Sequence, residues 1–118
     1  MQALLVYAHP EPRAFNAALR DIAIQTLLDQ GYEVEVSDLY AMNFDAVAGR
    51  GDFTESKNSE ILNLSLEQRH AAKNGTLSPL IAQQLAALQK ADLLILHFPL
   101  WWFGMPAILK GWIDRVFI

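Results

Sequence analysis

The sequence has no cysteine and no cluster of basic residues. The absence of cysteine excludes disulfides, thiolate chemistry and Cys-based metal sites, and it is compatible with a reducing compartment. The formal net charge is −4, and no run of Lys or Arg offers a binding surface for nucleic acid or an anionic membrane. We therefore expect no nucleic-acid partner and no membrane partner.

The sequence also lacks a long apolar segment and a leader-like start. The longest apolar run, from Leu93 to Met105, is interrupted by His97 and is too short to span a bilayer. Met1 leads directly into the strand-like QALLVYA, without the basic region or cleavage site of a signal peptide. These features predict a cytoplasmic protein without membrane insertion, and 118 residues fit a single domain.

Familiar nucleotide-binding and metal-binding patterns are missing as well. Neither G-x-G-x-x-G nor a P-loop is present, so the sequence does not favour a nicotinamide Rossmann site or an NTPase. No histidine and carboxylate pair has the spacing of metal ligands, and no residue is predicted to be catalytic.

Strand and helix patterns alternate along the chain. Continuous apolar runs at Ala3–Ala8 and Leu93–Phe98 predict strands buried on both faces, and the alternating Tyr32–Val36 predicts a strand nearer the sheet edge. Apolar spacings of three and four, together with cap residues, predict four helices. They are expected from about Phe15 to Gln30, from a capping box of Ser65 and Gln68 to Asn74–Gly75, from Ser78–Pro79 onward and from Pro106 onward. On the first helix, residues at spacings of three and four are expected on the buried face: Phe15, Leu19, Ile22, Ala23, Thr26 and Leu27.

This order of elements predicts an α/β fold with a doubly wound parallel sheet. Three strands are few for an open sheet of this kind, and the last helix would lead into a fourth strand. The apolar strand Leu93–Phe98 would then have an unpaired edge. We expect residues 1–118 to be the N-terminal part of a single domain, truncated after the third strand and its following helix, or a partner chain to cover this edge.

Two loops leave the carboxyl ends of the predicted strands, where ligands bind in open α/β sheets. The first, AHPEPRAFN, runs from Ala8 to Asn16 and meets a helix start, whose free N–H groups and positive dipole favour anions. His9, Arg13 and Asn16 add donors, which favours a phosphate or pyrophosphate seat. The alternative is that His9 and Asn16 only satisfy turn backbone while Arg13 is solvated.

The second loop, PLWWFGM, is rich in large side chains. Pro99 ends the strand, and Gly104 permits close backbone approach. The residues between them are Leu100, Trp101, Trp102 and Phe103. Their planar surfaces suit a flat heteroaromatic ring with polar edges, and the alternative is an aromatic cluster under a helix or at a dimer interface.

At this point the sequence resembles a known family. HFPLWWFGMPAILKGWIDRVF is similar to the flavin-binding segment of the NAD(P)H:quinone oxidoreductases of the flavodoxin-like superfamily. SDLYAMNF, AHPEPRAFN and NGTLSP resemble other family stretches in the same order, so the resemblance covers essentially the whole chain. It implies a flavodoxin-like fold and a two-electron flavoenzyme, commonly an FAD-containing homodimer, that passes hydride from NADH or NADPH to a quinone.

The resemblance also implies cofactor-binding positions. His9, Phe15 and Asn16 match the phosphate side of the cofactor, and the segment from Pro99 to Phe103 matches the loop along the isoalloxazine. Trp102 and Phe103 would also wall the substrate pocket. Two positions depart from the family: Asn63 stands where a glutamine that touches FAD is expected, and Trp101 stands where mammalian members often have glutamine.

Alternatives to the enzyme remain open at this stage. Family members continue into a glycine-rich flavin loop and into a Tyr and a His that assist charge transfer, and this sequence contains none of these. It is therefore also compatible with a regulatory or binding subunit, as in bacterial potassium efflux systems, or with an inactive fragment. The cofactor is expected to be FAD, with FMN as the alternative. The long middle segment favours FAD because it offers extra chain to hold an adenosine half. The aromatic density that includes Trp112 favours a homodimer.

Overall fold

The computed structural model describes residues 1–118 as three strands and four α-helices. The strands are β1 (Gln2–Tyr7), β2 (Glu33–Asp38) and β3 (Leu93–His97), and the helices are α1 (Phe15–Asp29), α2 (Leu64–Asn74), α3 (Pro79–Lys90) and α4 (Ala107–Val116). Each predicted element is present, and its boundaries shift by no more than two residues. None of the helices combines the length and apolar content needed to cross a membrane.

The strands form one parallel sheet in the order β2-β1-β3. The central strand β1 is buried from Ala3 to Tyr7, with exposed fractions of at most 2%. Its continuous apolar sequence follows from this position, since both faces of a central parallel strand are covered. The chain runs from β1 to one side of the sheet and later returns to the other side, so the strand order reverses between β1 and β3. Their carboxyl ends lie side by side, with Tyr7 opposite His97.

Helices cover both faces of the sheet, which confirms the doubly wound architecture. On one face, Leu4 and Val6 pack in a core with residues of α3 and α4, including the fully buried Trp112. On the other face, Leu5 and Tyr7 pack against Ala17 of α1.

A single amide oxygen links three elements within the larger core. Gln84 of α3 accepts hydrogen bonds at Oε1 from the Ser37 hydroxyl of β2 and from the Trp112 indole N–H of α4, each at 2.9 Å. All three side chains are buried, so these bonds satisfy polar groups that water does not reach.

The buried face of α1 differs from the prediction. The prediction is confirmed for Leu27, which is buried, and for Ala23, which packs against the core. It is wrong for Phe15, Leu19 and Ile22, which are 76%, 39% and 62% exposed, and the buried residue at the start of the helix is Ala17. The helix carries apolar residues on more than one face, so spacing alone did not determine which face meets the sheet. The small side chain of Ala17 packs against the cluster of Leu5 and Tyr7, and this leaves the larger side chains outside.

The predicted capping box of α2 is wrong. The helix is capped by Asn63, whose Oδ1 accepts hydrogen bonds from the Leu66 amide at 3.2 Å and the Ser65 hydroxyl at 3.1 Å. Gln68 is buried and donates from Nε2 to the Asp114 carbonyl at 2.7 Å. Because the Gln68 amide is bonded to α4, its side chain does not complete a capping box with Ser65.

The long connection between β2 and α2 is anchored to α4 by a buried ion pair. Asp52 ends a 3-10 turn that begins at Arg50, and its carboxylate lies 2.9 Å from the Arg115 guanidinium. The side chains of Asp52 and Arg115 are only 3% and 7% exposed, so the pair is shielded from water. The Asp52 carbonyl also accepts the Ser78 amide at 2.7 Å, while the Ser78 hydroxyl makes no cap bond to α3, contrary to the prediction.

The same connection touches α4 at Gly111. A side chain at this position would collide with the backbone of Ala46, so the approach requires glycine although its place is inside a helix.

Candidate functional site

The two loops predicted to bind a ligand meet at the carboxyl ends of β1 and β3. The Ala8 amide donates to the His97 carbonyl at 3.0 Å, which continues the strand pairing into the first loop. Just beyond, the His9 imidazole packs edge-on against the Trp101 indole, with ring centroids 5.8 Å apart. The reversal of strand order therefore brings together side chains from segments that are distant in sequence, at the place where open α/β sheets bind ligands.

His9 is oriented by the backbone of its own loop. Its Nδ1 accepts a hydrogen bond from the Glu11 amide at 3.0 Å, which assigns the proton of the neutral imidazole to Nε2. Nε2–H is thus available as a donor. Arg13 was predicted as a further donor but does not lie beside His9 as a free one. Its guanidinium donates to Glu11 at 2.9 Å, and its side chain is 91% exposed. The hydrogen bonds from Arg13 hold the pKa of Glu11 below its ordinary value.

The start of α1 offers backbone donors beside His9. Its N-cap is Ala14, which has no side chain to cap the helix, and the first turn contains no acidic residue. The N–H groups at a helix start have no intrahelical partners, so those of Phe15 and Asn16 are free to bind an anion. Asn16 is half-buried, and its side chain makes no hydrogen bond within the protein.

Trp102 and Phe103 form a tight turn with an unusual backbone. The Trp101 amide donates to the Gly104 carbonyl at 2.9 Å and the Gly104 amide donates to the Trp101 carbonyl at 3.1 Å, which closes a two-residue hairpin. Both central residues lie in the left-handed region, with φ of 49° and 64°. Hairpin turns with positive φ at both positions favour Asn-Gly, and a side chain there costs roughly 1–2 kcal/mol per residue.

We call the segment Trp101–Gly104 the aromatic turn. It holds the Trp102 and Phe103 side chains 94% and 93% exposed, so they are not packed beneath a helix. Leu100 is 72% exposed and Trp101 is 40% exposed. Backbone strain of this kind concentrates at functional sites, where the surrounding structure maintains it. Two large aromatic surfaces are therefore presented next to the donors of the His9 loop.

A polar group that the sequence did not reveal lies under the His9 loop. The Tyr7 hydroxyl is buried without a hydrogen-bond partner, and burial raises its pKa. The Arg20 guanidinium lies 4.6 Å from the Tyr7 ring centre and 3.5 Å from the Asp38 carboxylate.

Arg20 was missed because its helix position sits among apolar residues. His97 is half-buried with its ring edge-on to Tyr7, and desolvation, followed by the charge of Arg20, lowers its pKa.

Not every predicted site residue joins this arrangement. Asn63 caps α2 and lines a separate cavity of about 610 Å³ formed with the segment that follows Lys57. Pro99 follows β3 and is half-buried. Trp112 is fully buried in the core, so it does not contribute to an exposed aromatic surface, contrary to the reasoning that counted it toward a dimer interface.

Comparison with known proteins identifies the family. A family model described as flavodoxin-like fold matches residues 1–118. The chain belongs to this flavodoxin-like family. The flavodoxin-like chain is 48% identical to rat NAD(P)H dehydrogenase [quinone] 1 over 99% of its own length, and 47% identical to the Pongo abelii ribosyldihydronicotinamide dehydrogenase [quinone] over 98%. A Klebsiella pneumoniae crystal structure, named provisionally as a quinone reductase, superposes with a TM-score of 0.93 at 48% identity over 99% of the chain.

These relatives are longer than the flavodoxin-like chain. It covers 43% of the rat protein, 50% of the Pongo abelii protein and 45% of the Klebsiella pneumoniae chain. The chain therefore spans about half the length of the relatives that it matches. The predicted resemblance to the NAD(P)H:quinone oxidoreductases is confirmed over the segment that they share.

Proposed function

We infer that the protein is a flavin-dependent NAD(P)H:quinone oxidoreductase that transfers hydride from NAD(P)H through bound FAD to a quinone. The observation that carries this proposal is the aromatic turn, whose Trp102 and Phe103 are held exposed beside the His9 loop. The names of the relatives support the same activity. The strand order β2-β1-β3 supports a ligand at the β1/β3 junction.

The chain's own groups fit the two ends of a flavin cofactor. The free N–H groups at the start of α1 and the Nε2–H of His9 suit an anionic phosphate or pyrophosphate. The aromatic turn suits a flat ring system with polar edges, since its side chains provide stacking surface and its backbone provides polar groups.

In this proposal the protein contributes binding and orientation, and a bound flavin supplies the hydride chemistry. Trp102 and Phe103 stack against planar reactants and hold them in register with the ring system. The same side chains displace water from the face that they cover. Asn16 and His9 hold the phosphate end of the cofactor. These contacts help to position the isoalloxazine ring at its other end.

The proposal extends to the cofactor type, assembly and location. FAD is favoured over FMN because the long connection between β2 and α2 provides extra chain, including Asn63, for an adenosine half. A homodimer is proposed because Phe15 and Ile22 of α1 are exposed, as is the aromatic turn. A cytoplasmic location is proposed because a sequence without cysteine is compatible with a reducing compartment. A monomeric mass for the flavin-loaded protein in sedimentation at micromolar concentration would contradict the dimer.

Flavin titration of a His9→Ala and Asn16→Ala double variant tests the proposed site. Each charge-assisted hydrogen bond contributes about 1.5–3 kcal/mol, so each one lost should weaken flavin binding roughly 10-fold to 150-fold. Gln25→Ala is the matched control, because Gln25 lies on the same helix and its amide is bonded to Asp29. The melting curve of the flavin-free double variant should match that of the unmodified protein.

The experiment has two informative failures. Unchanged flavin affinity of the double variant would mean that these side chains serve only the turn. Absence of binding by the unmodified protein to both FAD and FMN would overturn the enzyme proposal and favour a partner-binding role.

A further inference from the structure

A second cavity with a different character lies along α2. It has a volume of about 310 Å³, and we call it the basic cavity. Its lining residues are Lys57, Leu66, Arg69, His70, Lys73 and Asn74. It shares no lining residue with the cavity under the His9 loop, which includes Tyr7 and Arg20.

The basic cavity concentrates the unpaired positive charge of an acidic protein. The chain has nine Lys and Arg residues against a net charge of −4. Ion pairs involve Arg13, Arg20, Lys90, Lys110 and Arg115. Of the four cations outside ion pairs, Lys57, Arg69 and Lys73 all line this cavity, and its lining includes no carboxylate. All three are exposed, so their side chains are free to converge on a ligand.

The one acidic residue of α2 forms no ion pair with these cations. Glu67 is buried, and its two carboxylate oxygens accept the backbone amides of Lys57 and Asn58, each at 2.9 Å. These two bonds hold the pKa of Glu67 below its ordinary value. They also fix the backbone of Lys57 against α2, which keeps this lysine across the cavity from Arg69 and Lys73.

His70 lines the same cavity and carries a ring nitrogen without a hydrogen-bond partner. The Asn74 amide nitrogen donates to the His70 carbonyl at 2.7 Å and lies 3.3 Å from its Nδ1. Acceptance of this amide by the ring nitrogen Nδ1 places the proton of a neutral imidazole on Nε2. Nε2 is buried and has no hydrogen-bond partner. The His70 side chain is half-buried.

We propose that the basic cavity binds a phosphate group. Arg69 and Lys73 are four residues apart and therefore lie on one face of α2, with Lys57 facing them from the preceding segment. Three cations match the charge of a pyrophosphate or a nucleotide phosphate, and Arg69 provides the fork that binds phosphate oxygens in pairs. An oxygen of the ligand would also satisfy the Nε2–H of His70. The site uses none of the residues proposed to hold the flavin, although Lys57 and Leu66 also line the cavity that contains Asn63.

Calorimetric titration with inorganic pyrophosphate, in a phosphate-free buffer, tests this site. The titration uses the His9→Ala and Asn16→Ala background, which removes the side-chain anion donors proposed at the flavin site. In this background we expect saturable binding of one pyrophosphate per chain, weakened by added salt because the contacts are electrostatic. The double variant Arg69→Gln and Lys73→Gln should bind at least tenfold more weakly. The double variant Lys90→Gln and Lys110→Gln makes the same change in net charge outside the cavity and should bind normally. Circular dichroism should give the same helix content for both variants.

The outcomes separate the site from general charge attraction. Equal weakening in the two double variants would overturn the proposal, because the cavity would then add nothing to the net charge. The same holds if the unmodified protein does not bind pyrophosphate. A parallel titration with ADP identifies the source of the phosphate: tighter binding than pyrophosphate indicates a nucleotide, and equal binding indicates free phosphate. Weakened pyrophosphate binding by His70→Ala would support the role of Nε2.

Discussion

The aromatic turn makes a prediction that runs against the usual effect of removing large apolar side chains. Replacing Trp102 with asparagine and Phe103 with glycine installs the residues that a hairpin with two positive φ values prefers. The side chains are 94% and 93% exposed, so their removal leaves no cavity and loses little buried surface. We expect the double variant to be more stable than the unmodified protein.

The size of this effect follows from the backbone. Relief of left-handed strain contributes about 1–2 kcal/mol at each position, and the greater chain entropy of glycine offsets about 0.5–1 kcal/mol. The net gain is about 1–3 kcal/mol, which raises the melting temperature by roughly 4 °C for each kcal/mol in a domain of this size. Thermal unfolding without ligand, followed by circular dichroism, measures it. Leu100→Asn is the control, because Leu100 is 72% exposed and lies outside the turn.

The same variant separates a functional turn from a structural one. If the turn serves as a stacking surface, flavin affinity should fall while stability rises, since each exposed aromatic contact contributes about 0.5–1.5 kcal/mol beyond area burial. A melting temperature several degrees lower would refute the reasoning, because it would show that Trp102 and Phe103 stabilise the protein itself. Higher stability with unchanged flavin affinity would confirm the backbone strain at Trp102 and Phe103 but refute their role in stacking.

Two further predictions concern the interior and the pH response. Gly111→Ala should destabilise the protein by about 1–3 kcal/mol in urea unfolding, because its Cβ would collide with the Ala46 backbone; a gain of stability, as at an ordinary helix position, would contradict this contact. Burial depresses the pKa of His97 from its ordinary value of 6.5, so the unfolded chain binds more protons than the folded one just below that value. Stability should therefore fall as the pH drops from 7.5 through 6.5, and His97→Gln should flatten this slope in melting curves, whereas an unchanged slope would assign the effect elsewhere.

The strands and the ligand-binding edge could be predicted from the sequence because their signals are local. The apolar run of β1 reflects burial on both faces, and Pro99 marks the end of the strand that precedes the aromatic turn. The chain order then determines that the ends of β1 and β3 meet. Once these ends meet, the proximity of His9 and Trp101 follows.

Other features depended on contacts between distant segments. The pair of Asp52 and Arg115 joins residues 63 positions apart, and neither residue differs in type from a solvated surface charge. The positive φ angles of the aromatic turn could not be predicted for another reason. Asn and Gly are the residues that indicate positive φ, and Trp102 and Phe103 are neither. Sequence patterns report what local structure prefers, and this turn departs from that preference.

The shared oxygen of Gln84 has a consequence for how this protein tolerates change. Ser37 and Trp112 both donate to it, so a Gln84→Leu substitution would leave two buried donors without an acceptor. In the Gln84→Leu background, Ser37→Ala and Trp112→Phe would each remove a buried donor that has no acceptor. Each change would then stabilise the protein, although it destabilises the original one. The three positions are therefore one unit of variation. A sequence can leave this arrangement only by changing β2, α3 and α4 together.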